Sequence, residues 1–106
     1  MDKDGNEVME GERGLLLFYR GTVCDDNFDV NAANIICQQM GYTGAVSWTS
    51  GTYYRIQKEL EINLDDIQCS GNTWSSCTYS KASNCGHGED VFLACNSQTG
   101  CNISFI

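Results

Sequence analysis

The fold is decided by residues 21–41, which read GTVCDDNFDVNAANIICQQMG. A short apolar run is followed by a cysteine and two acids, and Asp29 then suits the N-cap of a helix. Gly41 suits the position just after the end of that helix. The helical spacing of three and four residues puts four side chains on one face: Val30, Ala33, Cys37 and Met40. The stretch therefore predicts a helix with Cys37 turned inward, where a disulfide can join it to a sheet.

Strands are predicted on both sides of this helix. The apolar run Leu15–Tyr19 predicts a buried strand that continues through 21–23 after a turn or bulge. Residues 60–65 alternate between apolar and polar, as half-buried strands do. Residues 91–95, VFLAC, predict a last buried strand, whereas Gly, Ser, Asn and Thr between Ser70 and Gly88 predict a loop.

Cysteine content indicates how a chain of this size is held together. The 106 residues form one domain with seven cysteines, eleven glycines and no proline, and a small core stabilises such a loop-rich fold only marginally. No Cys-x-x-Cys pair occurs and His87 is the only histidine, so disulfides are favoured over zinc. Disulfides indicate an oxidising, extracellular compartment. We divide the chain into an acidic, flexible tail at 1–13, a domain at 14–95 and a C-terminal tail at 96–106.

The charge of the chain and its targeting signals limit its possible partners and its location. A net charge of −8 with only six Lys and Arg excludes direct nucleic-acid binding. The polar start offers no signal core and no stretch has transmembrane length, so we expect either a removed signal or a piece of a larger secreted or membrane-anchored protein. Asn102 lies in an Asn-Ile-Ser glycosylation pattern.

Four segments in order resemble the scavenger receptor cysteine-rich (SRCR) domain. The resemblance covers about Gly14 to Cys95 and implies an α+β fold in which a curved antiparallel sheet cradles one helix. Residue Arg20 stands where the family usually has tryptophan. The segments are Gly21–Asp26, Ile36–Tyr42, Leu64–Gly71 and Asn84–Asp90.

The resemblance also implies a disulfide pairing, by analogy with the six-cysteine form of the family. The implied bridges are Cys24 with Cys85, Cys37 with Cys95, and Cys69 with Cys77. Cys101 is then left over. We favour for it a crosslink to a partner chain or domain, with a partner in a missing segment or a free thiol as alternatives.

Acidic residues flank three of the cysteines, and crosslinking can gather them into sites for hard cations. The resemblance implies two calcium sites. The first is formed by Asp25, Asp26 and Glu89, and the second by Asp65, Asp66 and Asn84. The alternative interpretation is that aspartates beside turns cap backbone amides.

The predicted function is that of an extracellular module that binds anionic ligands, such as microbial surface polymers, sulfated glycans or proteins, through calcium. Arg20, Arg55 and Lys58 are candidate auxiliary contacts. The alternative is a structural or adhesion module with aromatic anchors at Trp48, Tyr53, Tyr54 and Trp74. An enzyme is not expected, because a bridged Cys85 cannot act as a nucleophile; His87 is expected to hold its loop by hydrogen bonding.

Overall fold

The computed structural model describes residues 1–4, 6–8, 11–18, 21–81 and 85–96. Within these ranges the chain forms one α-helix, seven strands and three 3₁₀ helices. The helix α1 is Val30–Gln39, and the 3₁₀ helices are Arg55–Glu59, Trp74–Ser76 and His87–Glu89. The strands are β1 Gly14–Leu15, β2 Leu17–Phe18, β3 Gly21–Val23, β4 Ala45–Ser50, β5 Ile62–Cys69, β6 Cys77–Lys81 and β7 Val91–Cys95.

The strands form two sheets. One has the order β1-β7-β4 and is antiparallel throughout. The other has the order β2-β3-β5-β6, and in it β3 and β5 run parallel while the other neighbours are antiparallel. The α+β class is confirmed, and the curved antiparallel sheet of the prediction is resolved into an antiparallel sheet and a mixed one.

Helix α1 begins at the predicted cap. The Asp29 side chain accepts a hydrogen bond from the backbone N–H of Ala32 at 2.9 Å, and Gly41 follows the helix with φ +95°. Ala33 and Cys37 are buried, but Val30 is 64% exposed and Met40 50% exposed. The predicted apolar face is therefore wrong at its two ends, because the buried residues of the helix lie between Ala32 and Cys37. The helix packs against β4, β5 and β7.

The core lies between α1 and the two sheets. The Phe28 and Trp48 rings meet edge to face at 4.8 Å. The buried members of the core come from the helix and from strands of both sheets, and include Val23, Ala33, Ile36, Leu64, Ile67, Val91 and Leu93.

The predicted loop Ser70–Gly88 contains regular structure that the sequence pattern did not reveal. It includes β6, the 3₁₀ helix Trp74–Ser76 and the start of a further 3₁₀ helix at His87. Strand β6 is the edge of its sheet, and from Thr78 to Lys81 it is exposed. An exposed edge strand has no buried face, so its sequence shows no apolar alternation.

The six described cysteines form three disulfides, and these join the pairs that the resemblance implies. Cys24–Cys85 spans 61 residues, Cys37–Cys95 spans 58 and Cys69–Cys77 spans 8. The second bridge connects α1 to β7, and the third closes the turn between β5 and β6.

The first residues of the chain contact the sheet. The N–H of Leu15 donates to the carbonyl of Met1, and the N–H of Gly11 donates to the carbonyl of Cys95, each at 2.8 Å. The division of the chain at residues 13 and 95 stays a prediction.

Candidate cation site

The parallel pairing of β3 and β5 brings two Asp-Asp pairs to one place. Val23 lies opposite Leu64 in the register, and the N–H of Cys24 donates to the carbonyl of Leu64 at 2.8 Å. Parallel strands present corresponding positions side by side. The pair Asp25-Asp26 therefore follows β3 next to the pair Asp65-Asp66 of β5.

The first predicted set of acids converges. Carboxylate oxygens of Asp25, Asp26 and Glu89 lie within 4.8 Å of one another. Glu89 reaches the group from the 3₁₀ helix His87–Glu89. That helix closely follows Cys85, which is bridged to Cys24 immediately before the aspartates.

A second group forms around the same aspartate. Oxygens of Asp26, Asp65 and Asp66 also lie within 4.8 Å of one another, so Asp26 belongs to both groups. The sequence prediction assigned Asp26 to the first set alone. The predicted third member of the second set, Asn84, lies outside the described residues. The sequence contains one signal for this shared arrangement, because an apolar strand segment precedes both Asp25-Asp26 and Asp65-Asp66.

The two groups are electrostatically unfavourable without a counter-ion. Asp65 is only 2% exposed, and this burial, together with the charge of Asp26, raises the pKa of its carboxyl. Burial likewise raises the pKa of Glu89, with further contributions from Asp26 and Asp25. Burial and, to a lesser extent, the neighbouring carboxylates thus disfavour the ionised forms of Asp65 and Glu89.

The donor chemistry fits a hard cation. Both groups offer carboxylate oxygens, the ligands that calcium prefers. The sulfur atoms of Cys24 and Cys85 lie near Asp65, but they are joined in a disulfide and are not thiolate ligands for a soft metal. The residues present therefore suit calcium better than zinc.

Neutral side chains donate hydrogen bonds to two of the clustered carboxylates, those of Asp25 and Asp66. The Ser50 hydroxyl donates to Oδ2 of Asp25 at 2.7 Å, and the Asn27 amide donates to Oδ1 of Asp66 at 2.8 Å. Asp65 does accept the backbone N–H of Asp66, at 2.8 Å. One oxygen of the Asp65 carboxylate thus caps a backbone amide, whereas Asp25 and Asp66 accept hydrogen bonds from side chains.

A buried glutamine supports the segment that carries two exposed cations. The side chain of Gln57 accepts from the N–H groups of Tyr53 and Tyr54, at 2.8 and 2.7 Å, and donates to the carbonyl of Gly51 and to Asp90 Oδ2, at 2.9 and 2.8 Å. Arg55 and Lys58 lie exposed on the 3₁₀ helix Arg55–Glu59 that it anchors. The third predicted cation, Arg20, lies outside the described residues.

The buried Asp90 connects this segment to the acidic groups. Its Oδ2 lies 2.8 Å from Nδ1 of His87 as well as from the Gln57 amide. His87 opens the 3₁₀ helix that ends with Glu89. The histidine thus contacts its own loop. Asp90, which was not among the predicted site residues, links the cationic segment to the acidic one.

The four predicted aromatic anchors lie in different surroundings. Trp48 is half-buried against Phe28, whereas Tyr53 and Tyr54 pack edge-on against Phe92, with ring centroids 5.1 and 5.0 Å away. The fourth, Trp74, stacks on Tyr79 of β6 with 5.6 Å between ring centroids. Tyr53 is 63% exposed and Tyr79 is 48% exposed, so these two are the most exposed aromatic side chains among the described residues.

The pH dependence of stability is expected to report on the acidic groups. In cation-free buffer the free energy of unfolding should fall as the pH rises from about 4 towards neutrality. The reason is that folded Asp65 and Glu89 keep protons above their ordinary pKa values of 3.8 and 4.5, where the unfolded chain has lost them. Thermal unfolding between pH 4 and 7.5 in calcium-free buffer measures this slope.

Added calcium should reverse this slope, since a bound cation favours the ionised carboxylates. Asp65→Asn serves as the control, and it should flatten the cation-free profile. A wild-type Tm that climbs steadily with pH in the absence of calcium would contradict the expectation.

Comparison with known proteins places the chain in a family. The model of the scavenger receptor cysteine-rich domain matches residues 4–96. The SRCR domain of mouse MARCO, solved in a dimeric form, superimposes with a TM-score of 0.62 at 29% identity, covering 88% of this chain and 96% of that one. The chain therefore belongs to the scavenger receptor cysteine-rich family.

Curated relatives are much longer proteins. Lysyl oxidase homolog 2A of Danio rerio is 38% identical over 101 residues, which is 89% of this chain and 14% of the relative. Lysyl oxidase homolog 2 of Mus musculus is 40% identical over 101 residues, 89% of this chain and 13% of the relative. The chain thus spans about a seventh of the length of these relatives, and the match covers their SRCR part only.

Family membership defines the class of function. SRCR domains are extracellular modules for interaction with proteins and other ligands, they are not catalytic, and this chain is such a module. Among the described residues, every helix is too short or too polar to cross a lipid bilayer.

Proposed function

We propose that the domain binds anionic ligands outside the cell through calcium held at the two carboxylate groups. The observation that carries the proposal is the meeting of Asp25, Asp26 and Glu89, and of Asp26, Asp65 and Asp66, each within 4.8 Å. The raised pKa values of Asp65 and Glu89 support it, because burial and neighbouring acids disfavour the ionised carboxylates and a bound cation would favour them.

Calcium reconciles the charge of the chain with an anionic ligand. A net charge of −8 repels polyanions. Calcium takes six to eight oxygen ligands, so an ion held by three carboxylates keeps positions for a sulfate, phosphate or carboxylate of the ligand. The protein's own part is to supply the crowded carboxylates and to orient them, while a bound cation would favour their ionised forms.

Arg55 and Lys58 are the proposed auxiliary contacts. Both are exposed, and Gln57 between them bonds to Asp90, next to Glu89. An anionic polymer that reaches the acidic groups can therefore meet these cations on the neighbouring segment. The contacts supply attraction that the acidic surface otherwise lacks.

Binding to a sulfated polysaccharide is expected to require calcium and to weaken when the two cations are removed. The double variant Arg55→Ala/Lys58→Ala should bind about five- to thirtyfold more weakly in calcium, since each exposed contact contributes of the order of 0.5 to 1 kcal/mol. Surface plasmon resonance on immobilised heparin, with and without a chelator, measures both effects.

The matched control removes two cations elsewhere. Lys3 and Arg13 are exposed residues near the start of the chain, and Lys3→Ala/Arg13→Ala changes the net charge by the same amount. A general charge effect would weaken both double variants equally and contradict the assigned contacts. If chelation left the binding of the wild-type protein to heparin unchanged, the proposed calcium-dependent function would be overturned.

The second candidate function is a structural or adhesion module that assembles with other proteins. The stacked Trp74 and Tyr79 favour it, because Tyr79 is 48% exposed on the edge strand β6 and aromatic anchors dominate protein interfaces. Assembly through this pair would tolerate chelation. The disulfide-linked partner proposed for Cys101 and the glycosylation proposed for Asn102 concern residues outside those described and stay predictions.

A further inference from the structure

Asn27 combines an uncommon backbone with a contact to the acidic groups. Asn27 has φ +61° and Asp66 has φ +56°, and they are the two non-glycine residues with positive φ in the described part of the chain. Their side chains are hydrogen-bonded to each other at 2.8 Å across 39 residues of sequence. The two residues with an unusual backbone conformation are therefore in contact, and they meet at the Asp66 carboxylate, which belongs to the second group.

The turn at Asn27 does not itself need an asparagine side chain. The N–H of Phe28 donates to the carbonyl of Asp25 at 2.9 Å, which closes a tight turn with Asn27 at its third position. Glycine and asparagine are the residues preferred where such a turn requires positive φ, and glycine adopts it with the least strain. The amide of Asn27 is thus additional to what the backbone requires.

We propose that Asn27 is a positioning residue for the second group, and this inference rests on the proposed function. Its amide holds Oδ1 of Asp66, which fixes the orientation of a carboxylate whose oxygens face Asp26 and Asp65. The carboxylate therefore does not have to be ordered when a cation arrives. Hydrogen bonds to ligating carboxylates commonly change metal affinity about 10- to 100-fold.

The side chain that holds Asp66 is a neutral donor. A lysine or arginine in this position would orient Asp66 equally well, but it would also neutralise the carboxylate and compete with a cation. An amide orients the group and leaves its full negative charge. The first group has the same arrangement, because the neutral hydroxyl of Ser50 holds Asp25 at 2.7 Å.

Asn27→Gly tests the inference while keeping the turn. We expect Tm in chelator to stay within about 2 °C of wild type. Calcium affinity at one of two binding events should fall about tenfold, as measured by titration calorimetry. Ser50→Ala is the matched control and should weaken the other event. In an Asp66→Asn background, Asn27→Gly should have no further effect on calcium binding.

A spectroscopic readout separates positioning from stability. Luminescence lifetimes of bound Tb³⁺ in H₂O and D₂O count the water molecules on the ion, and Asn27→Gly should add about one when Asp66 is no longer held. Unchanged calcium affinity and hydration in Asn27→Gly would overturn the inference while leaving the proposed function standing. Absence of calcium binding to the wild type would overturn both. An effect of Asn27→Gly that persists with Asp66→Asn would show a general structural role and overturn the positioning role.

Discussion

Asp26→Asn is expected to abolish calcium binding at both carboxylate groups, whereas Glu89→Gln and Asp66→Asn each abolish binding at one. The reason is geometric, since Asp26 is the residue common to the two sets of oxygens that lie within 4.8 Å. Removing one of three charged ligands should weaken each affected position by about a hundredfold. Titration calorimetry measures the change as a fall in stoichiometry from two to zero, against a fall from two to one in the other variants.

The same substitution should leave the cation-free protein intact. Asp26 contributes to the raised pKa of both Asp65 and Glu89, so its neutralisation relieves repulsion and should hold or raise Tm in chelator. Loss of binding together with a lower cation-free Tm would show misfolding instead of a lost ligand. Two full binding events in Asp26→Asn would contradict the shared role of this residue.

Removing the Cys24–Cys85 bridge is expected to combine a large loss of stability with loss of the calcium response. The bridge spans 61 residues, and in the chain-entropy model a loop of this length contributes about 4 kcal/mol. That is a large part of the 5 to 15 kcal/mol that stabilises a typical domain. Urea denaturation of Cys24→Ala/Cys85→Ala at low temperature, with and without calcium, measures both losses.

The Cys37–Cys95 bridge provides a control of nearly equal length. It spans 58 residues, so Cys37→Ala/Cys95→Ala should lose a similar stability. It joins α1 to β7 and is not adjacent to the acids, so this variant should still be stabilised by calcium wherever it folds. Equal calcium responses in the two variants would show that the Cys24–Cys85 bridge does not assemble the site. Cys69→Ala/Cys77→Ala, with a separation of 8, should cost less, about 2.5 kcal/mol.

Local sequence signals predicted α1, β3, β5 and β7. The single strand predicted from Leu15 onward is instead divided between β1 and β2, which belong to different sheets, and β4 was not predicted. Asp29 caps α1 as expected, and Val91–Cys95 forms a buried strand. Strand β6 was missed because its exposed side chains give no apolar alternation. Val30 in α1 and Met40 just after it are exposed, because the extent of the contact between helix and sheets is a tertiary property. Local propensity cannot report on either feature.

Most residues of the candidate site were predicted, but the way in which the two groups are joined was not. The convergence of Asp25, Asp26 and Glu89 follows from one disulfide and a short loop, which the resemblance to the family provided. The joining of the two groups through Asp26 depends on the parallel register of Val23 with Leu64, a long-range pairing with no local signal. The burial of Asp65 also contradicts the general preference of aspartate for the surface, so its sequence gave no indication of a raised pKa.

The four hydrogen bonds of Gln57 have a consequence for the thermodynamics of recognition. They secure the backbone around the 3₁₀ helix Arg55–Glu59 and connect it to Asp90. The conformational entropy of this segment is therefore given up during folding and does not have to be lost again on association. A ligand that contacts Arg55 and Lys58 then has to order only their side chains, so a flexible polymer can gain useful affinity from few contacts on this face.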